Sequence, residues 1–179
     1  MNNLTLIKAS FERVLYTHKT HEKAVERLEN KSKLMKILQI IFLVLTSTGV
    51  LTQLGDVFKD ADYKIFINLF IVIVTLIATG LSIYDLGDNT DNLIREHKKV
   101  ANDLLRLRDR YISIIVDIQN NNFEDNEIKT LRDKLSEEAA DTYNNAPSTT
   151  SKDYQKAAES LKNNGEFTFD ESEVDRYLP

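Results

Sequence analysis

Two runs without a charged side chain limit what this chain can fold into: Ile37 to Gly55 (ILQIIFLVLTSTGVLTQLG) and Ile65 to Tyr84 (IFINLFIVIVTLIATGLSIY). Each is about 20 residues long, and an α-helix of that length rises roughly 30 Å, the thickness of a bilayer's hydrocarbon core. Core helices of a soluble bundle usually keep a polar face, and the second run has almost none. The expectation is therefore two transmembrane helices, over residues 34–54 and 65–84. A polar, charged stretch precedes the first run where a secretory leader would have a short basic start, so that run is expected to remain in the mature protein.

Charge sets the orientation. Lys19, Lys23, Arg27, Lys31, Lys33 and Lys36 precede the first run, and Arg95, Lys98 and Lys99 follow the second. The connecting segment 55–64 (GDVFKDADYK) holds two lysines beside three aspartates. Positive charge collects on the cytoplasmic side, so segment 55–64 is expected outside and both termini in the cytoplasm of an inner-membrane, multi-pass protein. So short a connection makes the spans antiparallel neighbours.

Composition removes several classes of function. There is no Cys and no Trp, so disulfides, thiolate metal sites and Cys nucleophiles are excluded. A net charge of −5 without a basic patch argues against a nucleic-acid partner. No Gly-rich phosphate loop, no GxSxG and no acid pair in an evident cleft is present, so neither catalysis nor a cofactor is expected.

The flanking arms carry a second pattern. Ile7, Phe11, Val14, His18, His21, Val25 and Leu28 follow 4-3 spacing, the seam of a coiled coil, over the arm 1–33. Continued, the stripe reads Ser32, Met35, Gln39, Phe42, Thr46, Gly49 and Gln53. Leu93, His97, Val100, Leu104, Leu107, Tyr111, Ile114 and Ile118 repeat the spacing over the arm 85–119, and Asn68, Val72, Thr75, Thr79 and Ser82 do so inside the second run. Turn formers in DLGDNTDN predict a register slip and a kink between these two segments.

The fold class expected is all-α: an antiparallel hairpin of two transmembrane helices extended into a cytoplasmic coiled-coil-like stalk, with short C-terminal helices. Ile128, Leu131, Leu135, Ala139 and Tyr143 mark an amphipathic helix within 120–146. Residues 147–179 read as a turn, a helix over Tyr154 to Leu161 and an acidic tail. Pro147 ends the preceding helix, Thr150 with Asp153 resembles a capping box, and Gly165 is a C-cap candidate.

Two readings of the intramembrane polar stripe stay open. Gln39, Thr46, Gly49, Gln53, Asn68, Thr75, Thr79 and Ser82 suit helix-to-helix pairing, since membrane helices associate through small and hydrogen-bonding residues. They also suit an uncharged pore lining, which two helices cannot enclose, so a pore needs several copies of the chain. In the stalk seam, His18, His21, His97, Leu104, Leu107 and Tyr111 are the candidates, with His21 expected level with His97. A metal site lacks ligand spacing there, and a polar seam layer that fixes register is the stronger reading.

The amphipathic arm, the two close spans, the segment HKKVANDLLRLRDRYISIIVDI and the downstream NNAPSTTSKDYQKA resemble the SLATT domains, two-transmembrane effectors found beside nucleotide-second-messenger enzymes in bacterial anti-phage systems. The resemblance implies a homo-oligomeric membrane effector that forms a pore or disrupts the bilayer, so that the infected cell dies or arrests. Its trigger would come from a separate nucleotide synthase or sensor. A non-conducting coiled-coil adaptor that recruits a soluble partner is the alternative.

Overall fold

The computed structural model describes residues 3–47 and 61–163, so Gly49, Gln53, Gly165 and the acidic tail lie outside the described residues. The described chain is all-helical: α1 (Asn3–Thr46), α2 (Ala61–Gly87), α3 (Thr90–Gln119), α4 (Asp125–Asn144) and α5 (Ser151–Asn163), with no strand among the described residues. It divides into two units. One combines the residues up to Arg27 with those from Leu93 on, and the other runs from Leu28 to Asn92.

The first unit is built as a protein in water. Ile7 and Val14 of α1, Val100, Leu104, Leu107 and Tyr111 of α3, and Ile128, Leu135 and Ala139 of α4 form one core, with Phe11, Ile114, Ile118 and Tyr143 packed against it. The 4-3 spacing of α3 is the physical cause, since it places one residue per turn on the same face. In α1 the fully buried position near the end of the seam is Ala24 rather than Val25, which is half-buried.

Local chemistry sets the ends of these helices. Asn121 adopts φ 57°, its N–H donates to the Ile118 carbonyl at 3.1 Å, and the Asn122 N–H donates to the Asp117 carbonyl at 3.0 Å. This is a Schellman closure with asparagine in the left-handed position it tolerates better than most residues. The polar break NNNF is therefore a helix stop that returns the chain into α4, where the Glu124 N–H donates to Glu127 Oε2 at 2.9 Å. At α5, Thr150 and Asp153 cap each other as the sequence indicates: the Thr150 N–H donates to Asp153 Oδ2 at 2.9 Å, and the Asp153 N–H to Thr150 Oγ1 at 3.3 Å. The helix so started runs longer than Tyr154 to Leu161.

The second unit is built for another solvent. Large apolar side chains stand exposed at seven positions of α1 between Leu34 and Leu45 and at eleven of α2 between Ile65 and Leu86, against three elsewhere among the described residues. Leaving each in water costs about 1 kcal/mol. An apolar solvent that takes up these side chains recovers on the order of 20 kcal/mol that water does not. Among the described residues, one helical stretch, from Asn68 on, is long and apolar enough to cross a membrane, and little of it is buried. The chain is a membrane protein.

Where DLGDNTDN predicts a kink, α2 instead ends at Gly87 and α3 starts at Thr90. The Asp88 carboxylate explains the break: it accepts from Thr90 Oγ1 at 2.7 Å and from Lys31 Nζ at 3.2 Å. These bonds, that from Thr90 first, hold the carboxyl below its usual pKa. Lys31 also lies 5.4 Å above the Tyr84 ring, and Tyr84 and Asp88 together raise its pKa.

Leu135→Ala, which opens a void in the core of the first unit, should destabilise the detergent-solubilised protein by about 2–5 kcal/mol. Leu43→Ala, on an outward face, should change stability by about 0.5 kcal/mol or less. Unfolding monitored by helical circular dichroism checks both values.

Candidate functional site

Two sets of residues hold the chemistry, one in each unit. The first is a buried polar cluster on α1, α3 and α5. His21 and His97 are each 2 % exposed, and their Nδ1 atoms lie 2.7 Å apart. One imidazole must therefore carry its proton on Nδ1 and the other must present a bare Nδ1. One turn earlier, His18 Nδ1 donates to the Ala101 carbonyl at 2.9 Å, and its Nε2 lies 3.5 Å from Glu22 Oε1.

Electrostatics keep these rings neutral. Burial lowers the pKa of all three, and His21 falls to about 4 because His97 and His18 add to the effect. For His97, burial is joined by the Arg27 guanidinium, while Asp153 and Glu96 oppose it. Arg27 itself reaches Asp153, which is 1 % exposed, through two bonds: Nε to Oδ1 at 2.9 Å and a terminal nitrogen to Oδ2 at 3.1 Å. Burial alone would raise the Asp153 pKa, but the bonds from Arg27 and Thr150 outweigh it and lower it. Among the described residues no group of three or more histidines and carboxylates is arranged to hold a metal ion.

The pairing of α1 with α5 is what the sequence did not reveal. Arg27 and Asp153 are 126 positions apart, and the only signal was a capping aspartate and a basic residue beside the seam. Tyr16 and Tyr154 extend this contact, with ring centroids 6.2 Å apart. Leu104, Leu107 and Tyr111 lie in the core already described.

The second set lies in the membrane unit. Gln39 Nε2 donates to the Leu81 carbonyl at 3.4 Å, and Thr46 Oγ1 donates to the Phe42 carbonyl of its own helix at 2.9 Å. Along α2 the covered stripe is Ile71, Val74, Ala78 and Leu81. The expected seam of Asn68, Val72, Thr75, Thr79 and Ser82 is instead exposed, about a quarter turn round the helix. The reason is local. Thr75 donates to the Ile71 carbonyl at 2.8 Å, Thr79 to Thr75 at 2.9 Å and Ser82 to Ala78 at 3.0 Å, so these hydroxyls need no partner on α1. On the opposite flank stand Phe66, Phe70, Ile73 and Ile77, all apolar and exposed.

A family model described as the SMODS and SLOG-associating 2TM effector domain family 4 (SLATT_4) matches residues 4–173, nearly the whole chain. The chain belongs to this SLATT family. No curated protein and no solved structure matches it. For a SLATT chain, two membrane segments are the family's own description, and the exposed apolar faces of α1 and α2 agree with it.

The depressed histidine pKa values fix the sign of a pH dependence. Below about pH 6.5 the unfolded chain takes up protons that the folded His21 refuses, so stability should fall as pH drops from 6.5 to about 4. The loss begins above the range in which carboxylates titrate. Unfolding midpoints measured across that window should decline for the natural sequence and decline less steeply in His21→Leu/His97→Leu, which keeps only the His18 contribution.

Proposed function

We propose that this chain is the membrane effector of a bacterial anti-phage system, and that copies of it assemble into a pore or a bilayer-disrupting oligomer that kills or arrests the infected cell. In this reading α1 and α2 cross the inner membrane as an antiparallel hairpin, with segment 55–64 outside and both arms in the cytoplasm. The trigger is a separate nucleotide synthase or sensor, as the family description, association with SMODS and SLOG proteins, suggests.

The observation that carries the reading is the polar flank of α2. Asn68, Thr75, Thr79 and Ser82 share one side of a helix whose packed face lies elsewhere, and among the described residues nothing covers them. In lipid an uncovered polar stripe is unfavourable unless another helix or water meets it. A ring of hairpins with this flank turned inward supplies both, and two helices alone cannot enclose a water path.

One observation favours the alternative, a non-conducting adaptor that recruits a soluble partner. The three hydroxyls already bond to their own backbone, which lowers the cost of facing lipid. In that case the partner needs an exposed face. Leu104 and Leu107 are buried in the core, whereas Ile112 and Val116 of α3 stand exposed one turn apart.

Thr75→Leu/Thr79→Leu, expressed with the activating system, should leave the protein in the membrane and reduce dye entry and depolarisation to the level of cells lacking it. Ile112→Glu/Val116→Glu should leave leakage intact. The adaptor reading requires the reverse: no leakage from the natural sequence, a silent threonine pair, and lost partner capture from the charged pair.

A further inference from the structure

Between α1, α3 and α4 the first unit contains a cavity of about 120 Å³ whose polar lining is Ser10, Arg13, Tyr111, Ser136 and Tyr143. The phenol oxygens of Tyr111 and Tyr143 are both buried, and neither has a partner in hydrogen-bond geometry. Ser10 and Ser136 beside the first and Thr17 beside the second are hydroxyl neighbours that lower the phenol pKa, although none meets it at full hydrogen-bond distance and angle. Tyr111 is 1 % exposed and belongs to the hydrophobic core, where an unmade hydrogen bond costs about 1–3 kcal/mol. Native interiors seldom leave such groups unmatched without an occupant.

The lining indicates what that occupant is. It offers four hydroxyl groups able to donate and one guanidinium, and no carboxylate. Burial raises the pKa of both phenols, and the Arg13 charge acts on both to lower it. A donor-rich, carboxylate-free cavity next to a cation suits an acceptor of negative charge. Its volume exceeds the ~15 Å³ that one water requires and accommodates a group with several oxygens.

We infer that this cavity binds a tetrahedral oxyanion, with the Tyr111, Tyr143, Ser10 and Ser136 hydroxyls donating to its oxygens and Arg13 closing over its charge. The anion is either free or the terminal group of a larger ligand whose remainder stays outside the mouth. Because the donors sit on three helices, occupancy clamps α1, α3 and α4 together. The site does not depend on the pore reading.

The test uses full-length protein in detergent at constant ionic strength maintained with sodium chloride. Inorganic phosphate should raise the unfolding midpoint saturably, since a ligand that binds only the folded state stabilises it. Phenyl phosphate forms the second arm: a response to inorganic phosphate alone marks a free anion, a response to both marks a terminal phosphate, and either supports the site. Tyr111→Phe/Tyr143→Phe should lose the saturable response while melting no lower than the natural sequence without phosphate. Arg13→Gln should raise the half-saturating concentration about tenfold or more. If the Phe pair fails to fold, Ser10→Ala/Ser136→Ala carries the same expectation. No saturable rise with the natural sequence, or an equal rise with the hydroxyl-deleted pair, overturns the proposal.

Discussion

Water cannot solvate the surface that residues 34–45 and 65–86 present, and most other features of the molecule follow from that constraint. An exposed apolar area of this size is stable only where the solvent is itself apolar. Its consequence for the packed face of α2 is visible in Ile71, Val74, Ala78 and Leu81. In lipid these side chains gain little by leaving their surroundings, so the bond from Gln39 to the Leu81 carbonyl takes on more of the pairing.

The first unit obeys the opposite rule. Ile7, Val14, Leu104, Leu107 and Leu135 gain from leaving water, and polar residues are admitted to the interior only with partners. His21 meets His97, His18 meets a carbonyl, and Asp153 meets Arg27 and Thr150. Such buried polar contacts are directional, so they fix which turn of α1 lies beside which turn of α3 and α5. Tyr111 and Tyr143 depart from that pattern.

The sequence spelled out whatever depended on periodicity or local chemistry. The α3 seam, the level pairing of His21 with His97 and the Thr150–Asp153 cap could all be anticipated from spacing or local chemistry. What it concealed depended on long range or on choices between neighbouring faces. Arg27 and Asp153 announce their pairing through no spacing, since α5 returns to α1 only after three other helices. The 4-3 spacing puts the α2 seam on Asn68, Val72, Thr75, Thr79 and Ser82, most of them residues suited to pairing with another membrane helix. Back-bonding to Ile71 and Thr75 removes that need, and the packed face settles on Val74 and Ala78 instead. That shift leaves the threonines outside the packed face of α2.

The natural absence of cysteine allows a direct test of whether copies meet through that surface. Single cysteines at Thr75, Thr79, Ile73 and Ile77 would be oxidised in native membranes, and the products separated without reductant. The proposed assembly predicts cross-linked species from Thr75→Cys and Thr79→Cys, on the polar flank, and none above background from Ile73→Cys and Ile77→Cys on the apolar one. Equal cross-linking from both flanks, or none from either threonine position when the defence system is active, would contradict it.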